Sequence, residues 1–184
     1  MNVTLNWTVG AGATSQNVQY KLASASTWTT FSTVTGTAVT ETVTGLSDNL
    51  LYDFKIVTNC NGGTAGGSAV IQKINMICPT VTTTLESTSI SYSFPEIGGS
   101  VSSYAVKLFN SAGTSELSSQ TPTGTTTLTG SFTALTASTS YKIRVVPTAG
   151  TITKTDCAFT TATTSAPAVC NIPTAVTADV TVTP

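Results

Sequence analysis

The 184-residue sequence contains no histidine, and only 8% of it is charged, with a net charge of −1. Without histidine the side chain best suited to proton transfer near neutral pH is missing. Acid–base work would fall to eight carboxylates: Glu41, Asp48, Asp53, Glu86, Glu96, Glu116, Asp156 and Asp179. They are scattered, and no two stand where a protonated acid would sit beside an ionised partner. There is no Gly-x-Ser-x-Gly elbow, no phosphate-binding glycine loop and no Asp-rich calcium spacing. The four cysteines, Cys60, Cys78, Cys157 and Cys170, include no Cys-x-x-Cys pair, which argues against zinc. Seven Lys and Arg in all leave little to neutralise a phosphate backbone, and no run is long and apolar enough to span a bilayer. The expectation is a protein that is not an enzyme, uses no cofactor or metal, binds no nucleic acid and does not insert into a membrane.

Threonine, serine and glycine fill the polar positions instead, a composition suited to strands and turns. At 40% hydrophobic the chain can bury one large sandwich or two small ones, and an internal repeat selects two. Leu46 is followed six residues later by Tyr52, which opens the alternation Tyr52, Phe54, Ile56. Leu135 is followed at the same distance by Tyr141, then Ile143 and Val145. The residues between are mostly small or polar, as a tight corner needs.

This leucine and tyrosine spacing resembles the E–F corner of a fibronectin type III domain, with Tyr52 and Tyr141 as the corner tyrosines. The resemblance implies an all-β fold: two tandem fibronectin type III/immunoglobulin-like β-sandwiches, the first lacking strand A, plus a C-terminal spare strand. It divides the chain into residues 1–77, 78–163 and 164–184. In the first unit Val3, Leu5, Trp7 and Val9 mark strand B. Val18, Tyr20 and Leu22 mark C, with Trp28 and Phe31 on a C′ segment. Residues 37–44 approach the corner. Strand F ends at Cys60, residues 61–67 read as a flexible glycine loop, and residues 69–77 return as G. In the second, Val81, Thr83 and Leu85 supply strand A, and Ile90, Tyr92 and Phe94 form B, with Phe94 or Tyr92 in the place of Trp7. Tyr104, Val106 and Leu108 repeat Val18, Tyr20 and Leu22. Leu128 and Phe132 lead to the corner, and Cys157 to Phe159 falls in G. Residues 160–167 read as a low-complexity linker.

Beyond that linker, Cys170, Pro173, Thr174 and Val176 resemble Cys78, Pro79, Thr80 and Val81, the start of a domain. Val176, Ala178, Val180 and Val182 alternate with Thr177, Asp179, Thr181 and Thr183, so the tail has strand character. Because the first unit begins at B, the tail is expected to complete the first sandwich of the next molecule. Identical subunits would then join head to tail by β-strand addition. Each sandwich should be roughly 30–40 Å long at ~3.3 Å per strand residue, a distance the linker could not retrace onto its own first domain. By the resemblance, Cys78 would pair with Cys157, and Cys60 with Cys170 of a neighbouring subunit. Four free thiols in an assembly made in a reducing compartment stands equally open on the sequence.

The function expected is a non-enzymatic structural subunit of an extracellular filament or virion assembly. The residues after Met1 have neither a basic start nor an apolar core, which leans towards a virion released by lysis over a cell-surface fibre. The alternative is an adhesion or decoration module of a phage tail, capsid or bacterial surface, binding glycan or receptor through loops, with Trp28, Phe31 and Phe109 as candidate contacts. A further reading takes the sequence as a piece of a longer chain whose strand A lies upstream.

Overall fold

The computed structural model describes residues 1–169, and among them every regular element is a β-strand. The first sandwich holds β1 (Val3–Asn6), β2 (Ala13–Leu22), β3 (Thr29–Thr35), β4 (Thr40–Val43), β5 (Tyr52–Cys60), β6 (Gly63–Gly67) and β7 (Ile71–Lys73). The second holds β8 (Thr82–Leu85), β9 (Ile90–Pro95), β10 (Ser103–Phe109), β11 (Glu116–Gln120), β12 (Thr127–Phe132), β13 (Ser140–Ala149), β14 (Ile152–Thr153) and β15 (Thr160–Thr163). Residue alternation decides which face of each strand is buried. In β1, Val3 and Leu5 point inward while Thr4 and Asn6 face solvent. In β9, Ile90, Tyr92 and Phe94 point inward while Ser91 faces out.

Each sandwich sets a small sheet on a larger one. In the first, β1 pairs β4, and the larger sheet runs β3-β2-β5-β6 with β7 also on β5. In the second, β12-β9-β8 faces β11-β10-β13-β14, with β15 also on β13. The pairings are antiparallel throughout. The first core gathers eight buried residues: Val3, Leu5, Val18, Val43, Leu46, Tyr52, Phe54 and Ile56. The second gathers fifteen, among them Ile90, Tyr92, Phe94, Val106, Phe132 and Ile143. Apolar burial drives folding roughly in proportion to area, so the second sandwich holds the larger share of the stability.

The two corners match in detail. The Tyr52 hydroxyl accepts a hydrogen bond from Ser47 N at 3.2 Å, and the Tyr141 hydroxyl one from Thr136 N at 3.1 Å. Each ring is buried, so its hydroxyl ties the corner to the sheet it crosses. Counting from the tyrosines aligns the two sandwiches. Val3 opposite Val43 corresponds to Ile90 opposite Phe132, Leu5 to Tyr92, and Trp7 to Phe94.

Several expected boundaries move. The repeat of Val18 to Leu22 in Tyr104 to Leu108 is displaced by two residues. Val18 lies opposite Ile56 as Val106 lies opposite Val145, so Gln16 takes the place of Tyr104. A slip of two keeps every side chain on its face, which is why the pattern alone does not fix it. The glycine run is not a loop: Gly63–Gly67 is a strand on β5, and the turn shrinks to Asn61 and Gly62. Residues 160–163 are not linker but β15, with Ala162 buried between outward-facing threonines. Thr164 follows, buried, its hydroxyl donating to Thr136 O at 2.7 Å. Cys157 to Phe159 lies ahead of that strand, not within it. The boundary after Ile77 cuts through a segment whose Ile74 and Met76 pack into the second core.

A dense joint links the sandwiches. Asn49, in the left-handed region at φ 59°, receives a hydrogen bond at its carbonyl from Ser100 N at 2.7 Å and donates its amide to Ile97 O at 3.1 Å. Its Oδ1 accepts from Ile77 N at 2.7 Å, and Leu51 N donates to Ser100 Oγ at 2.9 Å. Gly99, at φ 71°, lies so close that a Cβ there would fall on the Asn49 carbonyl, so only glycine fits.

Candidate functional site

The feature that sets the two sandwiches apart is the outer edge of β1. In the second sandwich the equivalent strand β9 carries β8 on that side, with Thr83 opposite Tyr92 and Leu85 opposite Ile90, and Val81 just ahead of β8 packs on the core. Among the described residues β1 has a ladder partner on one side only, β4. Where β8 would lie, a groove of about 190 Å³ opens between β1 and β7, lined by Leu5, Asn6, Trp7, Phe54, Lys55, Ile56, Ser68, Ala69 and Ile71. A second hollow of about 330 Å³ continues it towards the end of β5, sharing Trp7, Ile56 and Ser68 and adding Thr58 and Cys60 among others.

The chemistry of this groove suits an extended main chain. Its floor is apolar, and its rim offers the unpaired N–H and C=O groups of an exposed strand edge. Trp7 lies just past β1 and is only partly covered, whereas its counterpart Phe94 is 2% exposed. The indole Nε1 of Trp7 is buried without a hydrogen-bond partner among the described residues. A buried donor left unpaired is costly, and an acceptor supplied from outside would relieve it.

Cys78 and Cys157 form a disulfide with Cα atoms 5.5 Å apart, tying the approach to β8 to the approach to β15. Cys60 is a free, half-buried cysteine at the end of β5. Cys170 and the donor-strand residues Val176, Ala178, Val180 and Val182 lie outside the described residues. Sequence reasoning pointed to an open edge but not to the groove's own lining. Ala69 and Ile71 read as part of the returning strand 69–77, with nothing to show that they would face β1, and Ser68 carries no signal at all.

The loop aromatics are engaged on their own sheets. Lys55 Nζ lies 4.2 Å from the centre of the Trp28 ring and Lys21 Nζ 5.4 Å from it. In the second sandwich Arg144, at the position equivalent to Lys55, stacks 3.8 Å over Phe159, which meets Phe109 edge-on at 5.1 Å. Such cation–π contacts cover the outer face of each larger sheet. Phe31 is partly exposed and packs edge-on against Tyr20. Beneath Trp28, Lys21 pairs with Asp53 at 2.7 Å, both side chains largely covered. Burial raises the Asp53 pKa, but hydrogen bonds from Lys21 and Gln72 more than offset it, and the carboxyl stays below its ordinary value. Among the described residues no group of three or more His, Cys, Asp or Glu is placed to hold a metal ion.

In fold, the chain is similar to a two fibronectin type III domain segment from chicken tenascin, with a TM-score of 0.57 at 14% sequence identity, covering 89% of this chain and 92% of that one. The FN1–FN3 domains of chicken CNTN1 overlap at a TM-score of 0.41 and 17% identity, over 89% of this chain and 60% of that one. Identities this low speak to fold alone, and the fold is that of two tandem fibronectin type III sandwiches. No protein-family model matches the chain, and no curated protein sequence does.

Proposed function

We propose that this protein is a non-catalytic structural subunit of an extracellular assembly, a virion or a cell-surface filament, in which subunits join head to tail by β-strand addition. The observation that carries the reading is the outer edge of β1, unpaired among the described residues, above an apolar groove at the place where the second sandwich seats β8. The occupant is the segment 174–184 of the next copy, whose Val176, Ala178, Val180 and Val182 alternate as an inward-facing strand should. Main-chain hydrogen bonds along β1 supply affinity, and the valines in the groove supply register. A heterologous contact of this kind that does not close on itself gives a fibre. The joint at Asn49 and Gly99 suits a load-bearing rod, and the Cys78–Cys157 disulfide suits an oxidising location outside the cytoplasm.

Electron microscopy of the purified chain tests this. Fibres with an axial repeat of about two sandwich lengths, roughly 60–80 Å at ~3.3 Å per strand residue, are expected. Val176→Asp, set where Val81 stands in the second sandwich and so beside Trp7, places a charge in the groove and should abolish them while the second sandwich keeps its fold. Normal fibres from that variant would remove the tail from the role of donor. Separate particles that bind glycans on an array would replace the reading with an adhesion module.

A further inference from the structure

We infer that the incoming strand is locked covalently, by a disulfide between Cys60 and Cys170 of the donating copy. The inference rests on the strand-addition reading above and deepens it, naming where the donor's leading end goes. The second sandwich supplies the template, since Cys78 stands three residues before Val81, the first core residue of its strand, and is bonded to Cys157. Cys157 in turn stands three residues before Thr160, which pairs with Ile143, two past the corner tyrosine.

The first sandwich displaces both partners by matching amounts. Counting back three from Ile71, which pairs with Phe54, also two past its tyrosine, gives Ser68 where Cys157 stands. The thiol in the first sandwich is at Cys60 instead. Ser68 N donates to Ile56 O, so Cys60 lies four residues farther along β5, about 13 Å at ~3.3 Å per residue. In the tail, the distance from cysteine to the first inward valine grows from three residues to six, Cys170 to Val176. Three added residues extend the reach by roughly 10 Å in the same direction. The longer lead on the donor therefore answers the farther thiol on the acceptor. On the acceptor, Cys60 lines the hollow with Ile56 and Thr58. Placing Val176 where Val81 stands fixes the rest of the register. By the pairing of β8 with β9, Ala178 falls opposite Leu5 and Val180 opposite Val3.

The bond forms by exchange with a small-molecule disulfide such as glutathione disulfide. One sulfur–sulfur bond breaks and one forms between the chains. The two cysteine thiols are oxidised, and their protons and two electrons leave on two glutathione thiols. The test uses the full chain with glutathione disulfide, non-reducing electrophoresis and mass spectrometry of the crosslinked peptide. A ladder of covalent multimers joined through Cys60 and Cys170 is expected. Cys60→Ser and Cys170→Ser chains should each give no covalent product alone and a single dimer band when mixed. A monomer carrying an internal Cys60–Cys170 bond, or dimers formed by either variant alone, would overturn the inference. Microscopy of the same samples in dithiothreitol separates the two levels. Fibres that never become covalent under oxidant sink the bond and leave strand addition standing, whereas no association in either condition sinks both.

Discussion

Among the described residues, β9 of the second sandwich is flanked on both sides and Phe94 is sealed, whereas β1 of the first is flanked on one side and Trp7, at the same position, borders an open groove. One plan is thus present in a closed and an open form within the same chain. The difference teaches that the corner and the larger sheet keep one arrangement whether or not the described residues seat a strand on that side. What differs on that side is the seal over the aromatic: Phe94 is buried, and Trp7 is only partly covered.

The sharpest way to break the comparison is to truncate the paired aromatics. Phe94→Ala should cost about 3–5 kcal/mol, as a fully buried ring does, while Trp7→Ala in the unassembled chain should cost only about 1–2 kcal/mol because its ring is partly open. Denaturant unfolding of each variant measures this, and equal losses would mean that the groove is already closed. Next in size is the disulfide. Cys157→Ser should destabilise the second sandwich by about 2–4 kcal/mol, since the bond closes a long loop of the unfolded chain, and should leave the first transition in place. Smaller still are the corners: Tyr52→Phe and Tyr141→Phe each remove one hydrogen bond and should each cost about 1 kcal/mol. Like effects would show that the corners are independent of the open edge. The smallest effect separates the sandwiches by acidity. Asp53 pairs with Lys21 in the first, whereas the equivalent cross-strand pair in the second is Lys142 and Phe109. The Asp53 carboxyl is held below its ordinary value, so its contribution is complete above about pH 4, the unfolded carboxylate value, and is lost as pH falls through its lower folded value. Acid should therefore weaken the first sandwich by about 1 kcal/mol more than it weakens an Asp53→Asn variant, read as the pH dependence of the first unfolding midpoint.

The fold was legible because two signals are local. The spacing of Leu46 to Tyr52 and of Leu135 to Tyr141 announces a corner, and alternation in β1, β5, β9 and β13 announces faces. What escaped was weakly patterned. The strand Gly63–Gly67 is rich in glycine yet pairs with β5, so its residues say turn while its ladder says strand. The edge strand β11 is mostly exposed and lacks an apolar face to mark it. β15 is threonine on either side of one buried alanine, close in composition to a linker. The open edge itself could be inferred by comparing the two repeats. The groove beneath it could not, because Ser68, Ala69 and Ile71 acquire their role from folding back beside β5.

The bridge between Cys78 and Cys157 lies near the two ends of the second sandwich's own sequence, the cysteines standing 79 positions apart. Tension applied along the backbone enters at one cysteine and leaves at the other, crossing two sulfur atoms in place of the strands. Even if that sandwich lost its fold under load, roughly 260 Å of slack at ~3.3 Å per residue would stay locked away. The stretch between the two cysteines cannot lengthen, so give in the second sandwich is left to the residues outside the bridge, β15 among them.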